Sequence, residues 1–294
     1  MSRPVDAVIE FLEAEQARGV THVLLDDGAR EGLRELFYRT QGTARTETAT
    51  AAPPTPRPAN PAPVVAMNLE PEAKVSAPAR VSASGNTKAE RLASLRAQAE
   101  NWAPARSLGS LRETMVFAVG NPDAKLMLVG EAPGFQEEKE REPFVGPAGQ
   151  KLNDILKAMG IAREEVYISN IVKFRPATLR QTTNNRKPTP EEMASCMPFV
   201  RQEIEIIQPQ CIVALGGTAA EGLLGITGAV GAMRGTWHEF DGIPVRVTYH
   251  PSYLLQSGAN NSIKRQVWED MLTVMEKLAL PISDKQRGFF LPKP

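Results

Sequence analysis

The sequence predicts an α/β fold: a three-layer sandwich around a four-stranded, mostly parallel sheet, preceded by a small helical segment and a disordered linker. Three observations carry this expectation. Four short and nearly continuous apolar runs, "KLMLVG", "VYISNIV", "CIVALGG" and "PVRVTYH", read as strands buried on both faces. Helix-period segments separate them, and strands alternating with helices give a parallel sheet covered on both sides. Upstream, residues 41–87 are rich in Ala, Pro, Ser and Thr and poor in aromatics, so they bury too little apolar surface to offset the cost of ordering.

Taken in order, residues 1–40 carry helical periodicity in "VDAVIEFLEAEQ" and "EGLRELFYRT", around the short run "GVTHVLLDDG". So short a segment is marginal as an independent fold. It reads either as a tethered module that docks a protein partner or as a weakly ordered extension. The linker follows over 41–87, the working domain over 88–285, and a C-terminal tail over 286–294. Within the domain the helical patterns are "AGQKLNDILKAMG", "TPEEMASCMPFVRQEIEII", "TAAEGLLG" and "SIKRQVWEDMLTVMEKLA". The second opens with a capping box, Thr189 followed by Glu192, with Pro190 in the first turn.

Composition excludes several classes. The 294 residues contain 34 Lys plus Arg against 34 Asp plus Glu, so overall charge does not mark a nucleic-acid binder, and only a local patch would meet phosphates. No apolar run approaches the ~18 residues of a membrane span, and acidic residues interrupt the first apolar stretch, unlike a secretory signal. Cys196 and Cys211 are the only cysteines, too few for a disulfide framework and consistent with a reducing compartment. The expectation is a cytoplasmic protein without a membrane association.

In parallel sheets ligands gather at the carboxyl ends of the strands. That rule selects the turn after Gly130, the region of Asn170, the turn after Gly216, and His250. The turn "GEAPG" lacks both the Gly-Lys-Ser/Thr ending of a phosphate loop and the spacing of a dinucleotide fingerprint. Asn170 carries an amide with donors and an acceptor, suited to a base edge, and as a strand-end residue it serves equally to fix a turn. His250 follows a strand directly and is stiffened by Pro251; its imidazole can donate to a developing oxyanion, although a lone histidine is more often structural. Phe144, between turn residues in "EPFVG", suits stacking on a planar ligand as well as core packing.

The motifs "GEAPG", "PFVGPAGQ", "SNIVKFRP", "IVALGGTA" and "YHPSYLL" occur in an order and spacing that resembles the uracil-DNA glycosylase superfamily, closest to family 4, over residues 88–280. The resemblance implies a monofunctional hydrolase acting as a monomer on uracil-containing DNA, leaving an abasic site in base excision repair. Another deaminated base such as hypoxanthine, or a DNA-binding homologue without catalysis, is the alternative. It further implies a pocket walled by Gly130, Ala132, Pro133 and Gly134, with Phe144 stacking on an extruded base and Asn170 reading its edge. His250 would stabilise charge on the departing base. Pro251, Ser252, Tyr253, Leu254 and Leu255 would meet DNA, Leu254 or Leu255 as a wedge. Ala132 stands where the best-known branch has an Asp, which leaves Glu131 or Glu137 to act on the water, unless Glu137 instead crowds the C5 side of the base against a thymine methyl. The neighbouring Glu138, Glu140 and Glu142 read as a solvated acidic face.

Two departures stand out. Family 4 holds a [4Fe–4S] cluster on four cysteines; here Ala103, Arg106 and Phe174 fall at three of those positions and only Cys196 keeps a thiol, so no cluster or other metal is expected. Packing around Trp102 and Phe174 would replace it, and Cys211 reads as core. The segment "ATLRQTTNNRKPTP" is longer than the family's usual turn, with Arg180, Arg186 and Lys187 available for phosphates. It contains no histidine, which argues against the covalent product trapping of a related branch.

Overall fold

A computed structural model describes residues 81–256 and 261–291. The expected helical segment at 1–40 and most of the 41–87 linker lie outside the described residues. Val81 and Ala83 already pack against the core, so the ordered domain begins ahead of residue 88.

The chain enters through α1 (Lys88–Glu100), capped by Thr87, and a short α2 (Ala103–Arg106). Strand β1 (Leu111–Met115) pairs antiparallel with β5 (Phe174–Pro176) in a small separate ribbon. Among the described residues the main sheet has six strands, in the order β2 (Val119–Gly120), β4 (Tyr167–Asn170), β3 (Leu126–Gly130), β6 (Cys211–Leu215), β8 (Ile243–Thr248) and β7 (Trp237–Phe240). The four inner strands are mutually parallel and correspond to the four apolar runs; β2 and β7 add antiparallel edges. The expected four-stranded sheet is thus the core of a wider one. The edges were illegible because β2 is only two residues long and β7 is only partly buried.

Alternate residues of the inner strands feed two apolar layers, as strand geometry demands. Met127, Val129, Ile212, Ala214, Val245 and Val247 face one layer, with Leu95 of α1, Phe199 of α5 (Pro190–Ile207) and Ala219 of α6 (Gly217–Leu224). Leu126, Leu128, Ile168, Cys211, Val213 and Leu215 face the other. There they meet Leu152 and Leu156 of α4 (Pro147–Met159), and Trp268 and Met271 of α9 (Asn261–Lys277). The result is a helix–sheet–helix sandwich with Cys211 in its core. Residues 286–291 belong to this body: the tail boundary at 286 falls inside α10 (Asp284–Arg287), Trp268 Nε1 donates to the Gln286 carbonyl at 2.5 Å, and Phe289 packs on the Trp268 ring. An apolar pair flanking a charged segment gave too short a signal to read. No described helix is long and apolar enough to cross a membrane.

Candidate functional site

At the carboxyl ends of β3, β4 and β8 the backbone opens into a cavity of about 320 Å³. The "GEAPG" turn supplies Glu131, Ala132, Pro133 and Gly134; Glu137 comes from α3 (Phe135–Glu140), Phe144 and Ala148 from the next turn and α4, and Asn170 from the end of β4. His250 and Ser252 close it from the end of β8 and from α8 (Pro251–Gln256). Asn185 and Arg186 complete the wall. Gly130, at the end of β3, lies directly against two of these side chains. A methyl group there would collide with Asn170 Oδ1 and the Phe144 ring, so only glycine lets these two side chains share the space.

Each side chain is held differently. Asn170 is 2% exposed, yet its amide makes no hydrogen bond with any described residue. Buried polar groups are normally satisfied, so this amide is uncommitted and available to the cavity. Behind it, Ser169 donates to Glu203 at 2.6 Å and accepts from Lys173 at 2.6 Å; the Lys173–Glu203 ion pair at 2.7 Å is wholly buried and fixes the strand end. His250 Nδ1 accepts the Ser252 backbone N–H at 3.2 Å and lies 2.8 Å from the Ser252 hydroxyl. A backbone N–H can only donate, so Nδ1 carries no proton and the neutral ring bears its hydrogen on Nε2. Burial pushes the imidazole pKa down to about 4, so the ring is neutral near pH 7. Phe144 lies 5.6 Å from the His250 ring, tilted by 31°, and adopts a left-handed backbone at φ 56°. Such a conformation in a phenylalanine costs about 1–3 kcal/mol and persists only where the surroundings impose it. Gly149 is part of the imposition: any side chain there would collide with the Phe144 carbonyl oxygen.

The two candidate carboxylates differ. Glu131 accepts the Thr218 hydroxyl at 2.5 Å; burial raises its pKa, and the Thr218 bond and the Lys187 charge oppose that rise. Glu137 is a clamp. One oxygen accepts the Gly134 N–H at 3.1 Å, the other the N–H groups of Val145 and Gly146 at 3.1 and 2.9 Å. It ties the "GEAPG" turn to the start of α4 and has little lone-pair capacity left for a water. Of its neighbours, Glu140 is exposed as the expected solvated face requires, but the other two are paired. Glu138 is largely buried between Arg175 and Arg112 at 3.0 Å each, and Glu142 pairs with Arg163. Sequence counts carboxylates but does not see which amides and guanidiniums surround them.

Of the remaining expected residues, Pro251 is buried and Tyr253 is exposed, stacked on Tyr249 at 5.1 Å. Leu254 and Leu255 do not enter the cavity; they line a separate apolar groove with Ile155, Val267 and Trp268, and Leu255 is the more exposed of the two. Arg186 is committed to Glu192, at 2.6 and 2.8 Å, and Lys187 to Glu221, so neither is a free phosphate ligand. Asn185, unsuspected in the sequence, is aimed at the cavity by Arg175, whose Nε donates to its Oδ1 at 3.0 Å.

A family model of the uracil DNA glycosylase superfamily matches residues 117–272, just over half of the chain. The chain belongs to the uracil-DNA glycosylase superfamily. It is 44% identical over 162 residues to a type-4 uracil-DNA glycosylase of Thermotoga maritima, covering 54% of this chain and 81% of that one. A type-4 uracil-DNA glycosylase of Pyrobaculum aerophilum is 37% identical over 160 residues, 52% and 79% of the two chains. A type-5 uracil-DNA glycosylase of the same organism is 31% identical over 152 residues, 46% and 64%. Within the uracil-DNA glycosylase superfamily, family 4 is therefore the nearer branch.

The iron–sulfur cluster implied by that branch does not fit the residues present. Arg106 lies over the Phe174 ring at 5.7 Å and donates to the carbonyl of Glu100, Trp102 packs edge-on against Phe199 at 5.0 Å and donates to the Ser195 carbonyl, and Cys196 is buried with its thiol pKa raised by burial. One protonated thiol among aromatic and guanidinium groups is not a donor set for a cluster, which needs four ligands, usually thiolates. Among the described residues no group of three or more His, Cys, Asp or Glu could hold a metal ion.

Proposed function

We propose that this chain is a uracil-DNA glycosylase that hydrolyses the N-glycosidic bond of an extruded uracil and leaves an abasic site. The observation that carries the reading is the meeting, in one cavity, of an uncommitted buried amide, a neutral imidazole with its proton on Nε2, and a fixed aromatic ring. Asn170 presents a donor and an acceptor to O4 and N3–H of uracil, the pattern that cytosine reverses. Phe144 offers a stacking surface to the base. As the glycosidic bond breaks, the electron pair passes to the base, and Nε2–H of His250 donates to the oxygen on which that charge develops. A neutral ring suffices, because a hydrogen bond to an oxyanion in a desolvated site strengthens as the charge grows.

Glu131 is the group we assign to the water. Its carboxylate borders the cavity with one oxygen taken by Thr218, and its raised pKa improves it as a base. Glu137 positions the wall and does not act on the water. Leu255 is the favoured wedge on α8, being more exposed than Leu254. The catalytically lost alternative leaves the open amide of Asn170 without a purpose. The test is a single-stranded oligonucleotide with one labelled uracil, and matched hypoxanthine and thymine controls, developed with hot alkali. Strand scission at uracil alone is expected; scission at hypoxanthine instead moves the substrate, and none at any base from folded, DNA-binding protein refutes the enzyme.

A further inference from the structure

Residues 177–189 link β5 to α5 and exceed the two to six residues, roughly, that strand–helix connections usually take. The segment holds its own shape. The Thr178 N–H donates to Gln181 Oε1 at 2.7 Å, the Thr182 N–H to Asn184 Oδ1 at 2.8 Å, and Asn184 Nδ2 to Thr178 Oγ1 at 3.3 Å. Buried Arg175 pins it from below, donating to the carbonyls of Thr182 and Asn184 at 2.8 and 2.7 Å, and Arg186 closes its base on the Ala177 carbonyl at 2.7 Å. Two neighbouring side chains take no part. Leu179 is fully exposed, at 107%, and Arg180 is exposed with no partner among the described residues.

A single exposed leucine is ordinary on a protein surface. This one is held out from a loop that is ordered without it, beside an unpaired guanidinium. Residues 177–190 contain no carboxylate, and Glu192 and Glu221 neutralise Arg186 and Lys187, so Arg180 is the cation left over. The same loop delivers Asn185 and Arg186 to the cavity wall, five and six residues along the chain from Arg180. We propose that Leu179 and Arg180 form a second nucleic-acid contact, Leu179 packing against a base beside the extruded nucleotide and Arg180 meeting a flanking phosphate. A protein partner fits less well, because one leucine offers a small part of the roughly 800 Å² that a stable interface buries on each side.

The inference rests on the glycosylase reading, and the test separates the two. The full chain, with Leu179→Ala and Arg180→Ala, is compared on duplex and single-stranded uracil oligonucleotides carrying 2-aminopurine next to the uracil. Binding to a duplex with a stable abasic analogue is measured in parallel. Thr183→Ala, exposed in the same loop and with no partner among the described residues, is the control. Leu179→Ala should lower the ratio of duplex to single-strand kcat/KM about tenfold and weaken the 2-aminopurine signal. Arg180→Ala should reduce the slope of log affinity against log salt by about one. Values within twofold of wild type on both arms overturn the proposal, as does a Leu179→Ala defect equal on both substrates, which would mark damage to the pocket. If wild type releases no uracil, the glycosylase reading fails while the abasic-duplex binding arm still decides the contact.

Discussion

Replacing Thr218 by valine tests the assignment of Glu131 without touching the cavity. The two residues are nearly isosteric, Thr218 is 5% exposed, and the substitution removes one bond, the 2.5 Å hydroxyl donation to Glu131 Oε2. A hydrogen bond to a charged group is worth about 1.5–3 kcal/mol net, and one pH unit corresponds to about 1.4 kcal/mol. Burial already raises the Glu131 pKa and the Thr218 bond opposes it, so losing the bond raises it further. The ionised fraction at any pH within the titration falls. Because the cavity is open to water, the lower end of the range applies. The acid limb of the kcat/KM profile should move to higher pH, with rates converging on wild type toward the alkaline end of the range. Single-turnover uracil release across pH 5–9 measures this. A uniform fall with an unmoved limb would mean that Thr218 acts only structurally, and an unchanged profile would remove Glu131 from the reaction.

Three further outcomes are expected. His250→Ala and Asn170→Asp should each cost about 10²–10³ in kcat, the usual toll for a lost or inverted transition-state donor, with near-wild-type Tm; the base-release assay decides it. The depressed pKa of His250 makes stability complete above the unfolded value near 6.5 and progressively lost as pH falls toward 4, by at most about 3 kcal/mol. In His250→Gln the fall in denaturation midpoint between pH 7.5 and 4.5 should therefore be smaller than in wild type. Gly130→Ala, whose methyl would occupy the space of Asn170 Oδ1 and Phe144, should abolish turnover while the far-ultraviolet circular dichroism stays unchanged.

The parallel core was legible because its strands are buried on both faces, and "KLMLVG" and "CIVALGG" announce that without any partner in view. The strand-end rule then led to Gly130, Asn170 and His250, because connectivity alone fixes which ends of a parallel sheet carry loops. What stayed hidden depends on contacts across the chain. Glu137 and Glu138 look alike in "QEEKE", yet one caps backbone amides and the other sits between guanidiniums. Asn185 lies in a polar stretch indistinguishable from a solvated insertion until Arg175 fixes it. Leu254 and Leu255 differ only in how α8 is turned.

The Glu137 clamp bears on how specificity changes. One carboxylate joins the turn at Gly134 to the start of α4, so the two stretches that flank the base move as one body. On the glycosylase reading proposed above, such a wall resists accommodating a methyl or a second ring. On that reading it would select by refusal. Enlarging the cavity by trimming a lining side chain would leave that body in place, so a route to wider base acceptance begins by loosening the tie at Glu137 and reshapes the lining afterwards.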